Sequence, residues 1–361
     1  MKNIKLDSIN KIPASTWSWL KINRASLETA VNSELTDCLK ITESTSGIKI
    51  YRGTDSSCSE TAVLEKSLPS METPSTKTVT DFLNSDLKFT TAIITEEKSP
   101  QKIVMEFNQK DNQNYSGREI IIAEEGTDLT LIMIFSSMPY DSTFCTTQTK
   151  IWAKKGAKVH LVKVQLFGQK SINLDDSVFF AEDESSIKMT QIELGGEKTF
   201  TGVTSFLSGE SSAFLLNTAY IAQKKQILDI NQNVIMNGKN TNTAIKVNGV
   251  LKDQAIKTYR GTIDFQRGCA GAKGDEQEET LLLSPQSINK SIPVILCDEE
   301  DVEGTHGSTC GKLGSDELFY FQSRGITEND AEKIMTKAKI LGTASEIPSL
   351  QIQEKIASFI E

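Results

Sequence analysis

One short pattern recurs along the middle of the chain and limits what it can fold into. "AEEGTDL" begins at Ala123, "AKKGAKV" at Ala153, "AEDESSI" at Ala181 and "LSGESSA" at Leu207. Each is a polar tight turn, and each leads into a strand rich in β-branched and apolar residues: "TLIMIF", "HLVKVQLF", "KMTQIEL" and "FLLNTAY". The starts lie 30, 28 and 26 residues apart. "LKDQAIK" (251–257) repeats the shape before "TYRGTIDF". A near-constant period of this size makes each unit one supersecondary module, which buries its apolar face only against the next copy. Helical periodicity is missing between the turns, so helix-and-strand repeats are disfavoured. Roughly two or three strands per repeat, with alternate residues inward, predict a parallel β-helix. The chain is therefore expected to be mainly β, with a solenoid over 81–312. A β-sandwich is the competing architecture, but it more often shows hairpin turns every ~8–12 residues. The Asn, Gln and Thr of "LDINQNVIMNGKNTNTAIKVNG" are expected at corners and on the outer face. Asn-Gly at 237–238 and 248–249 would supply positive φ.

The flanks read differently. In 1–42, "STWSWLKIN" groups Trp17, Leu20 and Ile22. "RASLETAVNSELTDCLK" carries Leu27, Val31, Leu35 and Leu39 at steps of four, the spacing of one helix face. An N-terminal helical cap is expected. Residues 43–80 are rich in Ser and Thr and read as a loosely ordered connection with one short strand. Past 311, Ser315 is expected to cap "DELFYFQS", with Asp316 and Glu317 complementing the helix dipole. Gly325 would end that helix in the left-handed conformation. Thr327 would cap "ENDAEKIMTKAKILG", with Asp330 reaching back. Ala331, Ile334, Met335, Ala338 and Leu341 form one apolar stripe, and "IQEKIASFIE" is a last helix. Residues 313–361 thus predict a small helical domain that must lean on the solenoid or on another protein.

Composition excludes several functions. The 361 residues carry a net charge of -9 with no Lys/Arg block, so a nucleic-acid backbone would be repelled. The opening "MKNIKLDSINKIPAST" has no apolar core of a secretory signal, and the longest apolar run, "LTLIMIF" (129–135), is strand-sized. Neither export nor a membrane is expected. Six cysteines, at 38, 58, 145, 269, 297 and 310, show no CxxC spacing and read as reduced thiols of a cytoplasmic protein. "GGEKT" (195–199) lacks the order and spacing of a phosphate-binding loop, so no nucleotide is expected on this chain. A β-helix enzyme acting on acidic polysaccharide would need clustered carboxylates with Lys/Arg, and export, and shows neither.

Only two histidines are present. His306 stands in "GTHGSTCGKLG", among Gly304, Gly307 and Gly311, which permit close backbone approach. Cys297, His306 and Cys310 share one short window. A thiolate and an imidazole suit zinc or iron–sulfur chemistry. The plainer reading is a hydrogen-bonded histidine with small buried thiols. Cys269, in "RGCAGAKGDEQEE", reads as a loop thiol, and the acidic run 274–279 as a solvated edge. "FYF" (319–321) reads as core or interface, because no basic residue interleaves it.

"GVLKDQAIKTYRGTIDF" (249–265), "LLLSPQSINKSIPVIL" (281–296), "DVEGTHGSTCGKLGSDELFYFQSRGIT" (301–327) and the following "ENDAEKIM" resemble the SufB/SufD family of iron–sulfur cluster assembly scaffolds, the SufD branch most. The resemblance is close over about 249–341 and looser over the central repeats. It implies a right-handed parallel β-helix flanked by helices, acting as a scaffold and not as an enzyme. It implies pairing with SufB, or with a second copy of the chain in a minimal scaffold. It also implies the ATPase SufC as partner, with sulfur arriving from a cysteine desulfurase. The helical domain would dock on SufC, with Leu318, Phe319, Arg324, Gly325, Ile326 and Met335 as the candidate surface. His306 matches the histidine of the nascent-cluster site, where a transient iron–sulfur cluster forms at the subunit interface. Cys297 falls where SufB-like proteins keep a sulfur-accepting cysteine, so both residues are candidate iron ligands. A purely structural interaction module is the alternative.

Overall fold

Two nine-stranded sheets face each other across one lumen packed largely with apolar side chains. The computed structural model describes residues 2–361 except 17, 33, 55–58 and 74–75, so Trp17 and Cys58 lie outside the described residues. From Asn114 onward the chain alternates between the sheets, one strand in each. Phe144–Ala153 pairs in parallel with Asn114–Ala123 and with Ile172–Ala181. Lys158–Phe167, in the opposite sheet, pairs in parallel with Asp128–Ser137 and Ser186–Gly195. One sequence repeat is thus one coil of a parallel β-solenoid, two strands per coil. Within this run from Asn114, sequential strands are not hydrogen-bonded neighbours, which excludes the hairpins of a sandwich there.

Alternation decides what each strand buries. Leu129, Leu131, Met133 and Phe135 point into the lumen, and the in-register Val159 and Leu161 stack on the first two. Each such side chain contributes about 1.5–3 kcal/mol when removed from water. The corners stack too. Gly126, Gly156, Glu184, Ser211, Asn240 and Gly271 all have φ between 55 and 78°. Their N–H groups donate to the carbonyls of Lys155, Asp183, Glu210, Lys239, Ala270 and Asp301 at 2.7–3.0 Å, one rung per coil. This ladder satisfies the corner backbone, which no strand pairing reaches.

Two expectations about polar residues need correction. Asn240, not the Asn237–Gly238 pair, holds the left-handed corner conformation. Asn248–Gly249 lies inside the strand Asn242–Leu251, where a Cβ on Gly249 would fall 2.0 Å from the Tyr220 ring. Gln232 points into the lumen and donates to Thr218 Oγ1 at 2.8 Å. The facing strand thus satisfies the amide N–H, while its oxygen has no partner among the described residues.

The N-terminal segment is also corrected. Ala25–Val31 is a strand, paired antiparallel with Lys2–Ile9, and the only helical piece described within 1–42 is the 3-10 turn Ser18–Leu20. A step of four is even, so it fits one face of a strand as well as one face of a helix. Two helices appear instead within or across the edge of the segment read as loosely ordered: α1, Ser59–Ser67, and α2, Lys77–Asp86. The hairpin and α2 bury Ile4, Ile9, Leu27, Val79 and Leu83 on the outer face of one sheet, against Phe144, Leu174 and Phe200. Asn10 Nδ2 and Arg260 Nη1 both donate to Asp229 Oδ1, at 2.7 and 2.6 Å, pinning the arm to that sheet. Leu39–Ser44 and Ile48–Thr54 pair antiparallel with Pro100–Gln109 and Phe89–Thr95 and close the first coil.

Three helices follow the last strand: α3, Ser315–Ser323; α4, Glu328–Ala344; and α5, Leu350–Phe359. Gly314, not Ser315, caps α3, its N–H donating to the Glu317 carboxylate at 3.0 Å. Gly325, at φ 77°, ends that helix. Thr327 Oγ1 accepts from the Asp330 N–H at 3.2 Å and starts α4. Ile340, Ala344, Ile352 and Ile356 cover Ile132, Ile134, Val162 and Val164 on the outer face of the second sheet. The predicted stripe of α4 therefore splits. Ala331 faces inward with Thr336 and Ile340, while Ile334 and Ala338 stay exposed. Among the described residues no helix is long and apolar enough to cross a membrane.

Candidate functional site

Among the described residues, no strand pairs onto the last coil. Ile288–Cys297 and Val302–Gly311 are the outermost strands of their sheets. Val302–Gly311 pairs in register with Ala272–Leu282, which sets Gly304, His306, Ser308 and Cys310 over Gly274, Glu276, Glu278 and Thr280. Paired residues of a parallel sheet share a face. Glu276 and Glu278 are 1% and 3% exposed and point into the lumen. His306, Ser308 and Cys310 therefore lie on the lumen side too, but at its open mouth, where they are exposed. In the other sheet, register with Lys257, Tyr259 and Phe265 places Asn289, Ser291 and Cys297 on the same side.

The mouth gathers the predicted donors without joining them. Cys310 is four residues from His306 on one strand, about 13 Å away. Its Sγ accepts from Asn289 Nδ2 at 3.4 Å across the lumen. Cys297 ends the facing strand, its Sγ donating to the Glu299 carbonyl at 3.1 Å. The two thiols thus stand toward opposite ends of the mouth with His306 between them. Among the described residues, no three His, Cys, Asp or Glu side chains converge as a metal would require. Cys269 lies in the turn between Ile256–Phe265 and Ala272–Leu282, a loop thiol as read, but it is fully buried against the core, and burial raises its pKa. The second histidine, His160, lies on the outer face, 3.0 Å from Thr190 Oγ1, its pKa pushed down to about 4 chiefly by burial.

The floor was missed by sequence reasoning. The acidic run 274–279 is not a solvated edge throughout: Asp275, Gln277 and Glu279 face out, whereas Glu276 and Glu278 face the lumen. Period-two alternation within the repeat register was the available signal. Glu278 pairs with Lys257 and accepts from Ser308 Oγ at 2.8 Å, and also from Ser291. Burial lowers the Lys257 pKa. Tyr220 Oη and Thr280 Oγ1 bond at 2.9 Å. Burial pushes Glu276 up to about 7. A Cβ on Gly261 would fall 2.1 Å from Glu276 Oε1, so glycine makes room for that carboxyl. Gly304 likewise admits Phe265, at 2.8 Å from where its Cβ would stand, but Gly307 and Gly311 have nothing within 4 Å.

An imidazole, two thiols and buried carboxylates at one open end form a mixed set of borderline, soft and hard donors, a combination that iron and zinc accept. Spread as they are, they need donors from a second body to enclose a cluster. The two edge strands offer the backbone groups such a body could pair with. On the helical tail, Phe319 and Tyr320 are 73% and 55% exposed, and the Arg324 guanidinium lies 4.7 Å from the Tyr320 ring centre. Gly325 is exposed as well. Leu318, Ile326 and Met335 are partly buried.

Fold and site together define a β-solenoid with a donor-lined open end and an aromatic-bearing helical tail. Residues 105–339 match the family described as "SUF system FeS cluster assembly, SufBD core domain", and the chain belongs to that family of iron–sulfur cluster assembly proteins. It is 25% identical over 305 residues to a SufBD family assembly protein of Staphylococcus saprophyticus, across 83% of this chain and 65% of the relative. It is likewise 25% identical over 239 residues to one of Staphylococcus epidermidis (66% and 51%) and over 240 residues to one of Synechocystis (64% and 50%). The chain thus spans about half to two thirds of the length of these curated relatives.

Proposed function

We propose that this chain is a SufD-like subunit of the iron–sulfur assembly scaffold, working with SufB and with the ATPase SufC. One observation carries the reading: His306 stands on the lumen side of an uncovered terminal coil whose strands have unpaired edges. A second solenoid meeting that edge would bring its own donors over His306, and a transient cluster would form between the two. Cys297, at the end of the facing strand, is the candidate thiol of this chain. Sulfur would come from a cysteine desulfurase, and iron and sulfide are substrates of the assembly. The helical tail would dock on SufC through Phe319, Arg324, Gly325 and Ile326. Leu318 and Met335 would support that surface from behind. Solvent-exposed aromatics beside an arginine suit such an interface.

A second reading has its own support. Two exposed thiols at the mouth would let two copies of this chain form a minimal scaffold without SufB. Anaerobic co-purification with SufB and SufC, with mass determination of the complex, separates the two. Reconstitution with iron and sulfide then tests the site: His306→Ala should lower cluster formation in a complex that still assembles. Full-rate cluster formation by that variant would remove His306 from the site.

A further inference from the structure

One group at the mouth has spare bonding capacity. Glu276 is 1% exposed, and its Oε2 has no hydrogen-bond partner among the described residues. The Tyr259 hydroxyl lies against the carboxyl, where Gly261 clears the space. Glu278, two residues on, differs: Lys257, Ser291 and Ser308 occupy it. A buried carboxyl oxygen without a donor is costly unless something else comes to meet it. His306 is the in-register neighbour of Glu276 on the next strand, on the same face. Neighbouring strands lie about 4.8 Å apart. Metal bonds of ~2.0–2.2 Å to nitrogen and oxygen set two donors on one ion about 3 Å apart. An imidazole and a carboxylate on adjacent strands can reach that arrangement by side-chain rotation alone.

We propose that Glu276 and His306 together bind one divalent first-row cation, ferrous iron as the assembly substrate, on this chain before any thiolate takes part. The proposal rests on the assembly reading of the mouth and adds the residue and the order of loading. A mixed nitrogen and oxygen donor pair suits iron(II), manganese(II) or cobalt(II), and it leaves most coordination positions open to water, sulfide and the partner's donors. The ion would enter from solvent past the exposed imidazole, and Glu276 would anchor it from beneath.

Anaerobic titration of the full chain with cobalt(II), read by its visible ligand-field bands, tests this. One ion should bind per chain, without the intense charge-transfer bands of thiolate ligation. Glu276→Gln and His306→Ala should each weaken binding at least about tenfold. Cys297→Ser and Cys310→Ser should leave it unchanged. Circular-dichroism melting checks that each variant is folded. Glu276→Asp, which keeps the charge but shortens the reach, should also bind more weakly. Binding by Glu276→Gln as tight as wild type, or thiolate bands that vanish in the cysteine variants, overturns the proposal. Cluster formation in the complex is scored separately. A wild-type complex that builds no cluster while the chain still binds cobalt through Glu276 sinks the assembly reading alone. Normal clusters with Glu276-independent cobalt binding sink only the cation site.

Discussion

Lys257 and Glu278 close an ion pair across the lumen directly beneath Ser308 of the open coil, with side chains 0% and 1% exposed. Each charge is tolerated only because the other is there. Glu278→Ala should cost about 3–5 kcal/mol, since it strands a buried ammonium. Lys257→Met combined with Glu278→Leu should recover most of that loss. Urea unfolding of the three proteins measures it. A double variant as unstable as the single one would show that the pair's worth lies elsewhere, in its bonds to Ser291 and Ser308.

Stability should fall as pH rises through neutrality. Burial pushes Glu119 and Glu193 up to about 8 and Asp176 up to about 7. The folded chain therefore holds protons that the unfolded chain releases. Their contribution is complete below the ordinary carboxylate range and is lost as pH climbs from about 5 to about 8. Beside Glu193, Asp175 strengthens the shift, while Gln191 and Lys163 oppose it. Glu193→Gln should flatten part of the slope. An unchanged slope in urea midpoints across that window would remove Glu193 from the effect.

The corner ladder makes a graded prediction. Gly156 has φ 65°, and the nearest atom to an added Cβ is the Gly126 Cα at 4.0 Å. Gly156→Ala should therefore cost only the left-handed backbone penalty, about 1–2 kcal/mol. Gly249→Ala drives a methyl into the Tyr220 ring and should cost more. Equal losses in thermal unfolding would contradict the distinction.

The two sides of the helical tail should separate stability from binding. Ile340 is sealed against the solenoid, so Ile340→Ala should cost about 2–5 kcal/mol. Phe319 is exposed, and Phe319→Ala should change stability by no more than about 0.5 kcal/mol. Under the proposed function it should nonetheless lose SufC in a pull-down. Undiminished capture would move the docking surface away from α3.

Much of the solenoid was legible because its signals are local. The spacing of "AEEG" and "AKKG" marks one coil, and alternation in "LTLIMIF" marks the inward residues. Gly325 and Thr327 mark helix ends through their own backbone and side-chain chemistry. The N-terminal arm was not legible in the same way. Leu27, Val31, Leu35 and Leu39 satisfy both periods, and only pairing with Lys2–Ile9 made Ala25–Val31 a strand.

By itself, the order of residues determined the coil length, the corner chemistry and which residue types could line a lumen, since these follow from dihedral preference and alternation over a few residues. Only the tertiary structure decided that Glu276 lies under His306 and that Cys297 and Cys310 stand apart. The first depends on register between strands about 30 residues apart in the chain, which hydrogen bonding between coils sets; the second depends on the two thiols standing near opposite ends of strands in facing sheets.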